Sequence, residues 1–568
     1  MEGRAHPITS SNQLPVADRE AWTPFSQETV LLSKQDHIRL KWKSHYWKRQ
    51  HDRVIARETA LKHELESARA EIRDLKQRLY GKHSEKGASK PDRQSSKGTP
   101  SRPRGQTPGT RGHGRTARPH LPVVEEMRSL GAAEQVCSCC GAPFQAFPGS
   151  DDSQIIEIQV QAYSRKIRRQ RYRKTCRCAS TPGLITSPGA PRLIPKSALG
   201  ISVWVEVLLD KYLYARPTNR LCQDFQALGL AIAQGTLTGG LQQLRPLFEP
   251  LMAALLEKQL SERLFHGDET RWQVFEEVEG KIGYRWYLWL TQSASVVYYR
   301  VAPGRGADVP KGHFAGLREA TQIILVCDRY SAYKRLAKDC PRIVLAFCWA
   351  HVRRDFLEGA RCWPALQGWM LSWVEAIGAL YGRNAERLVV WDARLPLTEQ
   401  SPDFQVRHQA LVQQITQLAE RRDRQLGEAG LHSAQKKVLN SLKNHWSGLT
   451  VFVAHPQVPM DNNQAERSLR NPVNGRKNYY GSGAVWSAEL AAMLFTILQT
   501  ILRWGLNPRH WLTVFLSACA ENGGQPPAEL ASFLPWTIDD ARRESLKHPL
   551  RPTGVVRIGN LPDRSDTS

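Results

Sequence analysis

Residues 264–275, LFHGDETRWQVF, read as a strand with an acid, Asp268, set among apolar neighbours. Two more strand candidates follow at once, YRWYLWLTQ at 284–292 and SVVYYRVAP at 295–303. Beyond them QIILVC at 322–327 and RIVLAF at 342–347 are continuous apolar runs of the length that a strand buried on both faces requires. The first of these two runs ends at a second acid, Asp328.

Three strands in a meander, a helix, and then two buried strands with a helix between them give an α/β fold with the strand order of a ribonuclease H-like sheet. In that order an acid in the first strand and an acid ending the fourth lie on adjacent strands, as Asp268 and Asp328 would. A third acid is expected from a helix after the fifth strand. The next helix, in CWAHVRRDFLEGARCW, leads instead into about a hundred residues of helical sequence, and only then does MDNNQAERSLRNPVNGRKNYYGSG (460–483) bring Glu466. The sheet is therefore expected to carry a large helical insertion, about 360–455, within a catalytic domain spanning 263–505. Three carboxylates from distant segments in one pocket describe a site for divalent metal ions, and so phosphodiester chemistry. Each acid also has a plain alternative. Asp268 could pair with Arg271 or His266, Asp328 could cap the helix of SAYKRL, and Glu466 could close a capping box with Asn463.

Composition narrows the partners. With 79 Lys and Arg against 54 Asp and Glu, the net charge is +25, which concentrates polyanions at the surface and makes nucleic acid the leading partner. The 568 residues suit several modules rather than one core. The 11 cysteines form one compact cluster plus scattered thiols, as expected in a reducing compartment, the cytoplasm. Neither a signal pattern nor an uninterrupted apolar run of about 18 residues is read, so no membrane is expected.

The organisation upstream of the sheet is modular. Residues 1–45 read as a disordered extension. Residues 46–80 read as a coiled-coil, leucine-zipper-like helix, with Leu61, Leu65, Ala68, Ile72, Leu75 and Leu79 in alternating steps of four and three. The Gly-, Pro- and Arg-rich stretch 81–122 reads as a flexible basic linker that adds salt-dependent affinity for phosphates. In 123–185, Cys137 and Cys140 in CxxC spacing and Cys176 and Cys178 in CxC spacing suit a thiolate zinc site stapling a β-rich ribbon, with Cys139 as a competing ligand and the alternating IIEIQVQAY between the knuckles. The run SRKIRRQRYRK, with Arg168, Arg169 and Arg171, holds no acid and is expected to face DNA. Residues 186–262 read as helices, with a break at Gly229 and a new helix near Thr236, either a helix-turn-helix or a plain hairpin. Residues 506–568 form a C-terminal segment.

The blocks HGDET, VCDRYSAY, CWAHVRRDF, DNNQAER and GRKNYYGSG, with the heptad helix, the cysteine knuckles and the terminal NPRHWL and FLPW segments, resemble in order and spacing those of insertion sequence 66 family transposases. The resemblance implies a DDE transposase that acts on double-stranded DNA, both element ends and target. Asp268, Asp328 and Glu466 would bind magnesium or manganese and act as the catalytic acids. A homo-oligomer and accessory proteins of the same element are implied as partners. Cys348 and His351 match the family's CxxH block and read as support for the active-site scaffold. Arg467, Arg470, Arg476 and Lys477 are expected to hold the scissile strand, since guanidinium forks match phosphate oxygens. The chain departs from the family in its long N-terminal extension, its CxC knuckle, and Tyr479 and Tyr480 where Leu-Phe is frequent. Two competing readings stand beside this one: a zinc-ribbon DNA-binding protein without catalysis, and a ribonuclease H-like nuclease without strand transfer.

Overall fold

The computed structural model describes residues 31–80, 123, 131, 134–145, 155, 156, 158, 160–176, 179, 180, 182–276, 285–318 and 322–550. The chain divides into two compact units, Met1–Lys86 with Arg361–Pro364, and Gly87–Ala360 with Ala365–Ser568.

The first unit is built on one helix, α1 (Lys34–Tyr80). It starts twelve residues before the expected coiled coil, so 34–45 belong to the helix and not to a disordered extension. Two local causes account for this. Residues 34–80 contain neither Gly nor Pro, and Ser33 Oγ accepts the Asp36 N–H (3.1 Å) at the helix start. The rest of the expected extension, 1–30, lies outside the described residues, as does the linker 81–122.

In the second unit, β1 (Arg171–Arg173) and β2 (Leu184–Thr186) form a small antiparallel ribbon. The described part of IIEIQVQAY is not a strand. Ile155, Ile158 and Val160 are exposed, so the alternation has no core to face. Three helices follow, α2 (Ile201–Tyr212), α3 (Thr218–Ala227) and α4 (Gln234–Leu260), with the expected break at Gly229, whose φ of 79° suits glycine.

The central sheet comprises β3 (Leu264–Gln273), β4 (Arg285–Gln292), β5 (Val297–Ala302), β6 (Ile323–Cys327) and β7 (Ile343–Phe347), with α5 (Asp308–Phe314) before β6 and α6 (Ser331–Asp339) before β7. Its order is β5-β4-β3-β6-β7. The meander β3–β5 is antiparallel, and β6 and β7 run parallel to β3. These are the five strands, in the order, that the sequence leads one to expect.

Next come α7 (Trp349–Cys362), α8 (Gln367–Val389), α9 (Pro402–Leu426), α10 (Ser433–Asn444), α11 (Trp446–Leu449) and α12 (Val451–Ala454). After them come α13 (Asn463–Tyr479), α14 (Val485–Arg503), α15 (Pro508–Glu521) and α16 (Asp540–Lys547). The insertion closes where it opened: the Trp349 N–H at the start of α7 donates to Met460 O (2.8 Å), and its indole N–H donates to Leu449 O (2.7 Å). Because its ends are adjacent, a long insertion disturbs the sheet little.

The sheet separates two cores. Side chains alternate along β3, sending Phe265 into one core with Tyr333 and Phe356, and Trp272 into the other with Phe248, Phe495 and Phe515. Helix α14 is long and apolar enough to cross a membrane, a property the sequence reading denied to every segment. Here it is a core helix that guards an edge. Thr496 Oγ1 accepts the Tyr299 N–H (2.8 Å) and Thr500 Oγ1 accepts the Val297 N–H (3.1 Å), satisfying donors that edge strand β5 would otherwise leave open.

Candidate active site

The ladder between β3 and β6 pairs His266 with Val326. Asp268 and Asp328 each lie two residues further on, so the register sets the two acids side by side where the parallel pair ends. Both are half-buried and oriented by the backbone: Asp268 Oδ1 accepts the Glu269 N–H (2.9 Å), and Asp328 Oδ1 accepts the Tyr330 N–H (2.9 Å). The second bond is an Asx turn leading into α6, so the capping alternative for Asp328 holds in part, with one oxygen used. The pairing alternative for Asp268 does not, since His266 bonds Asn462 instead.

Glu466 arrives on the first turn of α13. The alternative, a capping box with Asn463, does not form. Asn462 is the cap residue, and the Asn463 N–H donates to Asp461 Oδ1 (3.1 Å), which leaves the Glu466 carboxylate 3.7 Å from His351 Nε2. Asn462, 1% exposed, fixes this helix start to the sheet. Its Nδ2 donates to Gly267 O (2.8 Å), its Oδ1 accepts from His266 Nδ1 (3.0 Å), and its backbone N–H donates to Cys348 Sγ (3.2 Å). One buried amide thus joins the residue preceding Asp268, the end of β7 and the turn carrying Glu466. Cys348 and His351 stand on either side of that junction, in contact with Asn462 and Glu466 respectively.

Asp268 senses its acidic neighbours. Burial is the main cause that pushes the Asp268 carboxyl up to about 8, and the charges of Glu269, Asp328 and Glu466 add to it. Among the described residues no three His, Cys, Asp or Glu side chains stand close enough to hold an ion as they are. The donor set is nonetheless right for a hard divalent cation, being carboxylate oxygen only, and mutual repulsion is what such a cation relieves.

Sequence reasoning missed Glu269. Its side chain is 1% exposed, accepts from Tyr333 OH (2.8 Å) and Arg305 Nε (2.8 Å), and is raised in pKa by burial against the pull of those two donors. The Arg305 guanidinium in turn lies 3.8 Å over the Tyr330 ring. The doublet in HGDET was the available signal, since an acid beside a site acid and buried that deeply needs its own cation. Arg329 next to Asp328 is held likewise, by Asp355 (2.7 Å) and by Ser441 of α10 (2.9 Å).

The four cations expected to hold DNA separate into two kinds. Arg467, Arg470 and Lys477 are exposed, lie on one face of α13 at steps of three and seven, and have no partner among the described residues. Arg476 differs: it donates to Thr270 Oγ1 (3.1 Å) and to Arg271 O, clamping α13 to β3. Its guanidinium is thus already engaged within the fold. Tyr479 packs on Trp272 with Lys211 Nζ 4.7 Å over its ring, so it serves packing. Gly481 follows with φ 146°, and a Cβ there would run into Gln273 O, which explains the first glycine of the GSG that runs beside β3.

In the cysteine segment residues 137–142 form a tight turn. The Cys137 N–H donates to Ala142 O (2.8 Å), the Gly141 N–H to Cys137 O (2.9 Å), and Gly141 has φ 73°. The backbone N–H groups of Cys139 and Cys140, with the Cys140 thiol, lower the pKa of the Cys137 thiol. Cys176 is exposed, and Cys178 lies outside the described residues. Arg168 and Arg171 are exposed, while Arg169 Nε donates to Ser187 O (2.6 Å).

A mixed sheet with two acids side by side on parallel strands and a third on a returning helix defines an α/β protein with a candidate acid-based centre. The particular family follows from comparison: the model of the Transposase IS66 family matches residues 196–490, just over half the chain, and the chain belongs to that family. Two relatives from Sinorhizobium fredii (strain NBRC 101917 / NGR234), the uncharacterized proteins y4hP and y4jD, are each 25% identical. Their alignments span 446 and 434 residues and cover 73% of this chain and 75% and 80% of theirs. Among solved structures, the Mos1 transposase paired-end complex with left transposon end is 14% identical over 28% of this chain and 60% of that one, with a TM-score of 0.11, too slight to define a fold.

Proposed function

We propose that this transposase is a DDE recombinase with a ribonuclease H-like catalytic domain, in which Asp268, Asp328 and Glu466 hold divalent magnesium or manganese. The observation that carries the reading is the register of β3 on β6, which sets Asp268 beside Asp328, together with the Asn462 junction that brings the Glu466 turn to the same strands. When bound, the metal ions supply an activated oxygen nucleophile and stabilise the leaving oxygen of an in-line displacement. The chain's own part is to orient the acids through the Glu269 and Tyr330 N–H groups, to hold the helix start through Asn462, and to track the strand along Arg467, Arg470 and Lys477. The reaction is cleavage at an element end followed by attack of the freed 3′-hydroxyl on target DNA, in the bacterial cytoplasm at the nucleoid. Incubating the chain with element ends and a target plasmid in magnesium tests this. Products with a cut 3′ end joined to new DNA are expected, whereas cleavage without joining would make the protein a nuclease.

The cysteine segment is proposed as a zinc ribbon ligated by Cys137, Cys140, Cys176 and Cys178, with thiolate donors of the right kind and a tight turn at 137–142. Cys137→Ser is expected to lose bound zinc and to weaken binding to element ends roughly tenfold, while the melting of the catalytic sheet shifts little. Metal analysis and a binding titration measure both. Unchanged end affinity after verified zinc loss would remove the ribbon from recognition.

A further inference from the structure

Helix α1 changes character along its length. Its first twenty residues, Lys34–Arg53, carry seven Lys and Arg against two acids, and its remaining residues carry six against five. Every residue from Lys34 to Arg49 is exposed. None of the seven cations has an ion pair among the described residues, while the distal half holds Lys62–Glu58 at 2.6 Å.

The apolar seam changes at the same place. From Leu61 to Leu79 both positions of the heptad repeat are apolar. Upstream one series continues with Val54 and Trp47, but the other turns polar, to Glu58, His51 and Ser44. Two copies paired in parallel would bring Glu58 against Glu58, so close pairing holds C-terminal to that level and loosens N-terminal to it. Beyond the loosening point each copy offers a straight basic arm of about 30 Å, close to one turn of duplex DNA. A basic arm running without a break into the N-terminal end of a zipper is the arrangement by which forked helices enter the major groove from two sides. Trp42 stacks on Tyr46 (5.5 Å between centroids) off the seam, and this exposed pair gives the arm apolar surface of the kind that meets thymine methyl groups.

We propose that α1 is a further DNA-binding element, a pair of basic arms forked from a zipper of two copies that grips duplex DNA. The proposal rests on the reading that the chain acts on DNA as an oligomer. Its probes are the full chain, a variant with Lys41, Lys43, Lys48 and Arg49 all changed to Gln, and a zipper variant, Leu65→Lys with Ile72→Lys. For each, the affinity for an element-end duplex is measured from about 50 to 200 mM salt, with helix content checked by circular dichroism. Each lost phosphate contact lowers the salt slope by about 0.9, so the Gln variant should lose about 3 or more from the slope at unchanged helix content. The zipper variant should become monomeric and lose a similar amount. A native slope in the Gln variant would overturn the arms while leaving the transposase reading intact. A native slope in a monomeric zipper variant would overturn the fork. Absence of binding by the native chain at any salt would overturn both the proposal and the reading beneath it.

Discussion

Asp268→Asn is expected to abolish strand cleavage, by at least about a thousandfold, and at the same time to make the metal-free protein more resistant to heat. The two effects have one cause. Burial and three neighbouring carboxylates raise the Asp268 carboxyl to about 8, far above an unfolded-chain value near 3.9. In the folded chain this group therefore favours its proton, a contribution fully present below about pH 4 and lost as pH rises through about 8. The amide has no charge to desolvate, so the variant lacks that decline. Melting in a chelator at pH 5 and pH 9 should show the variant's advantage widening with pH to a few kcal/mol, while DNA affinity stays within about twofold. A gap that does not widen would mean that Asp268 is not buried among acids, and retained cleavage would remove it from the site.

Asn462→Ala should produce the second large effect, and here stability and activity fall together. The substitution leaves His266 Nδ1 and Gly267 O without the partners they have in the fold. Two buried groups stripped in this way cost about 2–4 kcal/mol. The turn bearing Glu466 loses its side-chain anchor to β3, and misplacement by about 1 Å lowers rates on the order of a hundredfold. Urea unfolding and cleavage kinetics on the same preparations check both parts. Normal kinetics in a destabilised variant would show that the other contacts of α13, the backbone bond to Cys348 Sγ and the Arg476 clamp among them, suffice to position the helix.

Much of this was legible in the residues, for physical reasons that differ from place to place. The β strands announced themselves because buried strands are continuous apolar runs, and the two aspartates because register follows strand order. The return of Glu466 after a long insertion was legible only as a requirement. Its means, Asn462, looked like one polar residue in DNNQAER, and nothing in the local pattern says that its amide turns inward to β3. Glu269 was hidden for a related reason: its burial depends on Arg305 and Tyr333, from two other segments. The commitment of Arg476 to β3 was not legible, because a Lys- and Arg-rich helix end reads the same whether a guanidinium faces solvent or a neighbouring carbonyl. In the N-terminal helix the heptads were plain, but the start at Lys34 depends on the Ser33 cap and an unbroken run without Gly or Pro, which charge and polarity obscured.

Metal-dependent strand transfer is proposed to rest on Asp268 of β3, Asp328 just after β6 and Glu466 of α13. It is tested most directly by an assay of cleavage and joining on a plasmid bearing the element's ends, with magnesium, comparing the native chain with Glu466→Gln. Joined products are expected from the native chain and none from the variant, with both binding the ends equally. Joining by Glu466→Gln at the native rate would contradict the proposal.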